Sequence, residues 1–154
     1  LAEAGYEHYE ISNFARRHRA RGFRSKHNMK YWTGSAFYGM GCGAHSYDGS
    51  SRWVNAGKTE TYIESVSASG SAVAERHQLS EADRASEALF MGLRLIEGLD
   101  LREFEADYGV NVMERYGDEM RPAFEAGLVE LDGHMLRLTA AGLPLSNEVF
   151  IAFV

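Results

Sequence analysis

The sequence predicts an α+β protein made of two domains, and three observations support this prediction. First, its 154 residues, 45% of them hydrophobic, fill one ordinary domain or two small ones but fall short of the roughly 250 residues of a complete (β/α)8 barrel. Second, β-branched and aromatic runs separated by glycines dominate residues 1–72, whereas residues 73–154 carry apolar side chains at helical spacing. Third, the charge changes sign: residues 1–78 hold 10 basic and 7 acidic side chains, and residues 79–154 hold 6 and 15.

The first predicted domain, residues 1–72, is expected to contain short strands and glycine-rich turns. A strand is predicted near residues 7–11, a strand with a tight loop and turn over 37–49, a short strand at 51–55, a short helix at 59–67 and a Gly/Ser-rich connection at 67–72. Strand ends often face ligands, and we therefore regard Glu10, Ser12 and Asn13 as candidates for polar contacts.

The second predicted domain, residues 73–154, is expected to be helical with a small hairpin. Its predicted elements are a helix at 81–97 capped by Ser80, a short helix after Asp100, a third helix after Asn111, a hairpin around Asp132-Gly133 and a last helix from Thr139. This order is that of a winged-helix domain. Residues 112–126, where a recognition helix would lie, carry a net negative charge, and this argues against binding to nucleic acid, whose phosphates attract Lys and Arg.

The composition also limits the class of protein. No apolar run approaches the roughly 18 residues of a membrane span, and the first residues lack the pattern of a signal peptide. The single cysteine, Cys42, excludes an internal disulfide and any cluster held by three thiolates of this chain, and favours a reducing, cytoplasmic location. Cys42 itself is expected to be small and buried, without assigned reactivity. Because the chain starts at Leu1 rather than at methionine, we expect it to be the C-terminal piece of a longer protein.

A basic segment holds the first group of residues that could carry chemistry. No Asp or Glu occurs between Glu10 and Asp48, and this stretch carries seven cations: Arg16, Arg17, Arg19, Arg21, Arg24, Lys26 and Lys30. Within it lies the motif H-N-x-x-Y-W, formed by His27, Asn28, Tyr31 and Trp32. An imidazole nitrogen for iron, aromatic rings for stacking and nearby cations for propionates suit a haem. Alternatively, His27 and Asn28 brace a loop while Tyr31 and Trp32 fill a core.

Small residues form the second group, at positions 39–46. The group consists of Gly39, Gly41, Gly43, Ala44, His45 and Ser46, and its small residues would let a cofactor lie against the main chain. Their spacing matches neither a P-loop nor a dinucleotide fingerprint, and a turn that merely lets strands pack closely is the alternative. The sequence identifies no catalytic residue, because it contains no recognisable nucleophile triad, H-E-x-x-H motif or carboxylate pair.

Several motifs, taken in order, resemble a known family. They are YEISNFA (9–15), HNMKYWTG (27–34), FYGMGCGAHSYDG (37–49), RWVN (52–55) and the tail from LSEADR (79–84) to LSNEVF (145–150). Together they resemble the C-terminal portion of the radical S-adenosylmethionine proteins related to oxygen-independent coproporphyrinogen III oxidase, and most closely their HemW-type haem chaperone branch. The resemblance implies that the first domain is the C-terminal end of a radical-SAM barrel.

The resemblance also implies cofactors and partners. A parent of this family would hold a [4Fe-4S] cluster, S-adenosylmethionine and haem, and would deliver haem to client proteins. His27 would be the axial ligand beside Asn28, Tyr31 and Trp32, while Gly41, Gly43, Ala44 and His45 would lie near S-adenosylmethionine.

This chain lacks the C-x3-C-x2-C cluster motif, so we expect no radical activity from it alone, and it remains open whether it binds any cofactor by itself. Strand edges exposed without the rest of the barrel would favour a homodimer. Two alternatives stay open for the function: oxidative decarboxylation of coproporphyrinogen III, or a non-enzymatic winged-helix interaction domain.

Overall fold

A computed structural model describes residues 1–18 and 22–153 and shows a mixed α/β protein. The predicted mixture of strands and helices is thereby confirmed. Contacts between Cα atoms divide the chain into two compact units, one formed by Leu1–Thr33 with Ala85–Val154 and the other by Gly34–Arg84. The domain division between residues 72 and 73 stays a prediction.

The strands and helices follow one another closely along the chain. In order they are β1 Tyr6–Glu10, β2 Asn13–Arg16, α1 Lys26–Trp32, β3 His45–Tyr47, β4 Ser51–Asn55, α2 Thr59–Ser69, β5 Val73–Gln78, α3 Glu81–Gly92, β6 Leu99–Asp100, α4 Leu101–Tyr108, α5 Val112–Glu125, β7 Val129–Asp132, β8 Met135–Leu138 and α6 Ser146–Phe150. Short 3-10 helices, Leu143–Leu145 and Ile151–Phe153, flank α6.

Three helices of the second half begin at the predicted caps. Ser80 and Asp83 bond reciprocally, because the Asp83 backbone N–H donates to Ser80 Oγ at 3.1 Å and the Ser80 N–H donates to Asp83 Oδ2 at 3.2 Å. Asp100 accepts from the Arg102 N–H at 2.9 Å, and Asn111 accepts from the Glu114 N–H at 3.1 Å. The caps at all three helix starts are therefore confirmed.

The first of these helices is shorter than predicted. Helix α3 ends at Gly92 instead of residue 97, because the next residues pair with the end of β1. The Ile11 N–H donates to the Arg94 carbonyl at 3.0 Å, and the Ile96 N–H donates to the Tyr9 carbonyl at 3.2 Å. Main-chain hydrogen bonds to β1 thus replace those of a last helical turn.

The predicted start of the last helix, at Thr139, is also wrong. Thr139 accepts through Oγ1 from the Gly142 N–H at 3.1 Å, a 3-10 helix follows, and α6 begins only at Ser146. Pro144 has no N–H to donate to a preceding helical turn. A turn and a 3-10 helix therefore occupy the positions where a regular helix was predicted.

The core of the first unit is built by the helices and by the sheet β6-β8-β7. Its buried side chains are Ala85, Leu89, Leu93, Phe104, Val112, Met120, Ala123, Val129, Leu136, Leu138, Val149, Phe150 and Phe153. The β7–β8 hairpin turns at Gly133 with φ +64°, as the Asp-Gly dipeptide predicts. In the same unit β1 and β2 form an antiparallel hairpin; β1 lies one residue earlier than predicted, and β2 was not predicted.

The second unit contains the antiparallel sheet β3-β4-β5 and helix α2. The predicted strand 51–55 is confirmed as β4. Helix α2 runs two residues beyond its predicted end at Ser67, because the chain reverses only at Gly70 with φ +73°. Strand β5 was not predicted, since all six of its residues are exposed and carry no apolar alternation.

Candidate functional site

Helix α1 carries the residues of the H-N-x-x-Y-W motif. It begins after Ser25, whose Oγ accepts the Asn28 N–H at 3.2 Å. It ends at Thr33, whose N–H and hydroxyl donate to the Met29 carbonyl at 2.9 and 2.8 Å. None of the helix residues is buried. Side chains four residues apart share one face of a helix, so this short element brings His27 and Tyr31 together.

The structure shows that contact directly. The rings of His27 and Tyr31 meet edge to face with 5.1 Å between centroids, and Tyr31 Oη lies 3.4 Å from His27 Nε2. His27 is exposed, and Asn28 and Tyr31 are half-buried. An exposed imidazole beside a phenol offers a nitrogen and an oxygen to a metal or to a hydrogen-bonding ligand.

Trp32 contacts Tyr31 and Arg94. Its ring is tilted against Tyr31 at 6.5 Å between centroids, and its other neighbour is the Arg94 guanidinium, 4.5 Å from the ring centroid. The indole Nε1 is buried and has no hydrogen-bond partner among the described residues. Trp32 therefore packs into the unit through its indole.

The positive charge of the basic segment is distributed unevenly. Arg24 is paired, with its Nη2 at 3.0 Å from Glu7 Oε2 and at 2.6 Å from Glu97 Oε1. The hydrogen bond from Arg24 lowers the pKa of Glu7, and the bonds to Glu7 and then Glu97 raise the pKa of Arg24. The Arg24 guanidinium is thus engaged in ion pairs with Glu7 and Glu97.

Other basic side chains of this segment are exposed and could pair with an anionic ligand. Lys26 and Lys30 lie on α1, are exposed and make no ion pair within residues 1–18 and 22–153. Arg16 and Arg17 are also exposed. Arg19 and Arg21, which belong to the predicted basic cluster, lie outside the described residues.

The candidates at the end of β1 form a buried polar group. Glu10 is fully buried, and its Oε1 accepts from the Ser12 N–H at 3.1 Å and from the Asn13 side-chain amide. Glu10 Oε2 lies 3.8 Å from Arg94 Nη2 and makes no hydrogen bond in the described part of the chain. Sequence reasoning missed Arg94, for which the one signal was a cation inside the apolar run Leu93–Ile96.

The glycine-rich turn belongs to the second unit and is braced by its own hydrogen bonds. The Gly41 N–H donates to Tyr62 Oη at 3.3 Å, the Gly43 N–H donates to the Ala56 carbonyl at 3.0 Å, and the Asn55 amide donates to the Gly41 carbonyl at 3.0 Å. Gly41 and Gly43 have φ of +100° and +67°, a backbone conformation that favours glycine.

The room for a side chain differs between the glycines of this turn. A Cβ on Gly39 would lie 2.3 Å from the His45 carbonyl oxygen, whereas a Cβ on Gly41 would meet open space. Ala44 is half-buried and His45 is exposed. The prediction that Cys42 is buried is wrong: its side chain is exposed, because it lies between two glycines that turn the chain at the surface.

The described residues contain no cluster of three His, Cys, Asp or Glu side chains that could hold a metal ion. No helix in this part of the chain has the length and apolar character needed to cross a membrane. The His27 imidazole with Tyr31 is one pair of donors among the described residues that a metal-containing ligand could use.

Comparisons with known proteins find a matching family model and similar proteins. Residues 79–145 match the model of the HemN C-terminal domain. The chain is 35% identical over 150 residues to heme chaperone HemW of Bacillus subtilis, covering 97% of this chain and 38% of that protein, and 32% identical over 154 residues to heme chaperone HemW of Lactococcus lactis, covering 100% and 39%.

A solved structure also matches. It is that of coproporphyrinogen III oxidase (HemN) from Escherichia coli, described as a radical SAM enzyme, with a TM-score of 0.75 and 19% identity over 99% of this chain and 38% of that one. The chain thus spans about two fifths of the length of the relatives it matches.

Proposed function

We propose that this chain binds haem for delivery to other haem proteins. The proposal starts from two findings: residues 79–145 match the model of the HemN C-terminal domain, and nearly the whole chain is similar to heme chaperone HemW. The observation that carries the proposal is the exposed His27 imidazole on α1, beside Tyr31 and between two exposed lysines without ion pairs among the described residues. His27 would be the axial ligand of the haem iron, as imidazole commonly is.

The geometry around His27 is compatible with that role. Tyr31 Oη lies 3.4 Å from Nε2, so the phenol would have to turn aside for this nitrogen to reach iron. The contact is long and exposed to water, and giving it up costs little, since even a good hydrogen bond contributes only about 1 kcal/mol net. The Tyr31 ring would then pack against the porphyrin.

The lysines of α1 supply the complementary charge. Lys26 precedes His27 and Lys30 precedes Tyr31, so the two lysines share a helix face that is turned about 100° from the face of His27 and Tyr31. Haem carries two propionates, which the lysine ammonium groups can pair with at low energetic cost because neither lysine has to break an ion pair within the described residues. Asn28 and Trp32 complete the motif. Trp32 would support haem binding indirectly, because its packing against Arg94 holds the end of α1.

The remaining cofactors belong to a protein of the relatives' length. We place S-adenosylmethionine near Gly41, Gly43, Ala44 and His45, supported by the open space beside Gly41 and the exposed His45. A [4Fe-4S] cluster would take its thiolates from outside these 154 residues, because the chain has one cysteine. When bound, these two groups would supply the radical chemistry that is characteristic of the family.

The architecture is part of the same proposal. We assign residues 1–72 to the C-terminal end of a radical-SAM barrel and residues 73–154 to a winged-helix-like domain, supported by the order α3, α4, α5, β7–β8 and α6. The negative charge of α5, with two arginines against four acidic residues, favours packing or docking over nucleic-acid binding. We further propose that the protein is cytoplasmic and meets client haem proteins. It would pair with a second copy through its exposed strand edges.

Titration of the chain with haem tests the function. We expect a Soret band that saturates with wild type and an affinity at least tenfold weaker in His27→Ala. His77→Ala is the matched control, because His77 is also exposed but lies on β5; it should bind as wild type does. Equal affinities of wild type and His27→Ala would refute the ligand assignment. Formation of protoporphyrinogen IX from coproporphyrinogen III by a full-length, cluster-loaded protein would favour the oxidase instead.

A further inference from the structure

Glu10, Arg94 and Trp32 form the most unusual polar arrangement of the first unit. Glu10 is fully buried, and three polar atoms of the group, Glu10 Oε2, Arg94 Nε and Trp32 Nε1, are buried without a hydrogen-bond partner in the described chain. Unsatisfied buried polar atoms destabilise a fold, so a purely structural role would be served better by apolar side chains. This cost indicates that the group is kept for another reason.

The arrangement is a series of contacts that leads to α1. Glu10 ends β1 and fixes the following turn through Ser12 and Asn13. Its free oxygen lies 3.8 Å from Arg94 Nη2, and the Arg94 guanidinium lies over the Trp32 ring at 4.5 Å. Trp32 is the last residue of α1, five residues after His27 and next to Tyr31.

Helix α1 depends on such contacts, because none of its residues is fully buried. Its start is tied to β1 by the Ser25 N–H, which donates to Tyr9 Oη at 3.3 Å, and by the ion pairs of the preceding Arg24 with Glu7 and Glu97. Its end is held by Trp32 on Arg94. Both ends therefore rest on β1 and on the turn after α3, which are themselves joined by main-chain hydrogen bonds.

We infer that Arg94, oriented by Glu10, is a positioning residue for haem binding: it holds Trp32 and thereby fixes the end of α1 from which Tyr31 and His27 face the ligand. Neither Arg94 nor Glu10 touches the porphyrin. The inference rests on the proposed haem-binding function, and it predicts that loss of the guanidinium loosens the helix and weakens haem binding while the iron keeps its ligand.

The test compares Arg94→Met with Arg115→Met in a Trp53→Phe background, which leaves Trp32 as the one tryptophan. Methionine keeps most of the length of arginine and removes its charge and its planar group. Arg115 is a matched control because it also lies over an aromatic ring, that of Tyr116 at 5.3 Å, but on α5. Thermal unfolding followed by circular dichroism checks that all three proteins are folded.

We expect Arg94→Met to bind haem about tenfold more weakly with an unchanged Soret maximum, and Arg115→Met to bind as the background does. Unchanged affinity in Arg94→Met would overturn the inference. A shifted Soret maximum would overturn it too, since it would show that the iron does not keep its ligand.

A second measurement needs no haem and separates the two proposals. Acrylamide should quench the emission of Trp32 about twofold more efficiently in Arg94→Met than in the background or in Arg115→Met, because the ring loses its cover. Equal quenching in all three proteins would overturn the positioning role even where haem binds. If the background protein binds no haem while Arg94→Met exposes Trp32, the haem function fails and the attachment of α1 through Arg94 stands.

Discussion

Gly142 should tolerate no side chain, and the reason is a backbone contact in the C-terminal domain. Gly142 is buried, and a Cβ built on it would lie 1.8 Å from the Leu128 carbonyl oxygen and 2.8 Å from its carbon. Its φ of −75° and ψ of −28° suit alanine as well as glycine, so the obstacle is steric and does not come from the backbone conformation.

The size of the effect follows from what would have to move. Leu128 is fixed by two main-chain hydrogen bonds of 2.9 Å, since its N–H donates to Ala123 and its carbonyl accepts from Thr139. To reach an ordinary contact distance, Gly142 or Leu128 must shift by more than 1 Å, which strains or breaks those bonds. We expect Gly142→Ala to lower the free energy of unfolding by about 3 kcal/mol, the upper part of the range for overpacked sites.

Gly117→Ala is the matched control, because it makes the same chemical change in open space. Gly117 lies inside α5, and a Cβ there would have no neighbour within 4 Å. Alanine is the better helix former, so we expect a gain of about 0.5–1 kcal/mol. Urea unfolding followed by circular dichroism measures both variants. Effects of the same sign and size at the two positions would refute the steric argument.

Two further predictions concern a cap and a carboxyl group. Ser80→Ala should cost about 1 kcal/mol of stability in the same urea experiment, because it removes one half of the reciprocal cap at the start of α3; an unchanged midpoint would contradict this. The N–H groups of Ser51 and then Ser50 hold the pKa of Asp48 below its usual range, so its contribution to stability is present near neutral pH and is lost as the pH falls below about 4. Asp48→Asn should therefore show a smaller loss of thermal stability between pH 6 and pH 3 than wild type, and parallel curves would count against it.

Local signals in the sequence identify those parts of the fold whose cause is local. The caps of α3, α4 and α5 and the Asp-Gly turn of the β7–β8 hairpin each depend on residues within three or four positions of one another, and all were predicted. The end of α3 and the turn at Gly142 depend on β1 and on Leu128, more than ten residues away along the chain. Such contacts leave no periodicity, and so the predicted helices ran too far or began too early.

The candidate site follows the same division between local and distant causes. His27 and Tyr31 stand four residues apart, so any helix through them brings them together, and the motif points to them without further knowledge. Arg94 reaches Trp32 from 62 residues away in the sequence, as part of a turn whose hydrogen bonds to β1 ended a predicted helix. The same long-range pairing that made the prediction of α3 wrong therefore also places the guanidinium behind α1. A short exposed helix such as α1 cannot hold its own side chains in place. The residues that support it are therefore found where the structure departs from the local sequence pattern, as at the early end of α3.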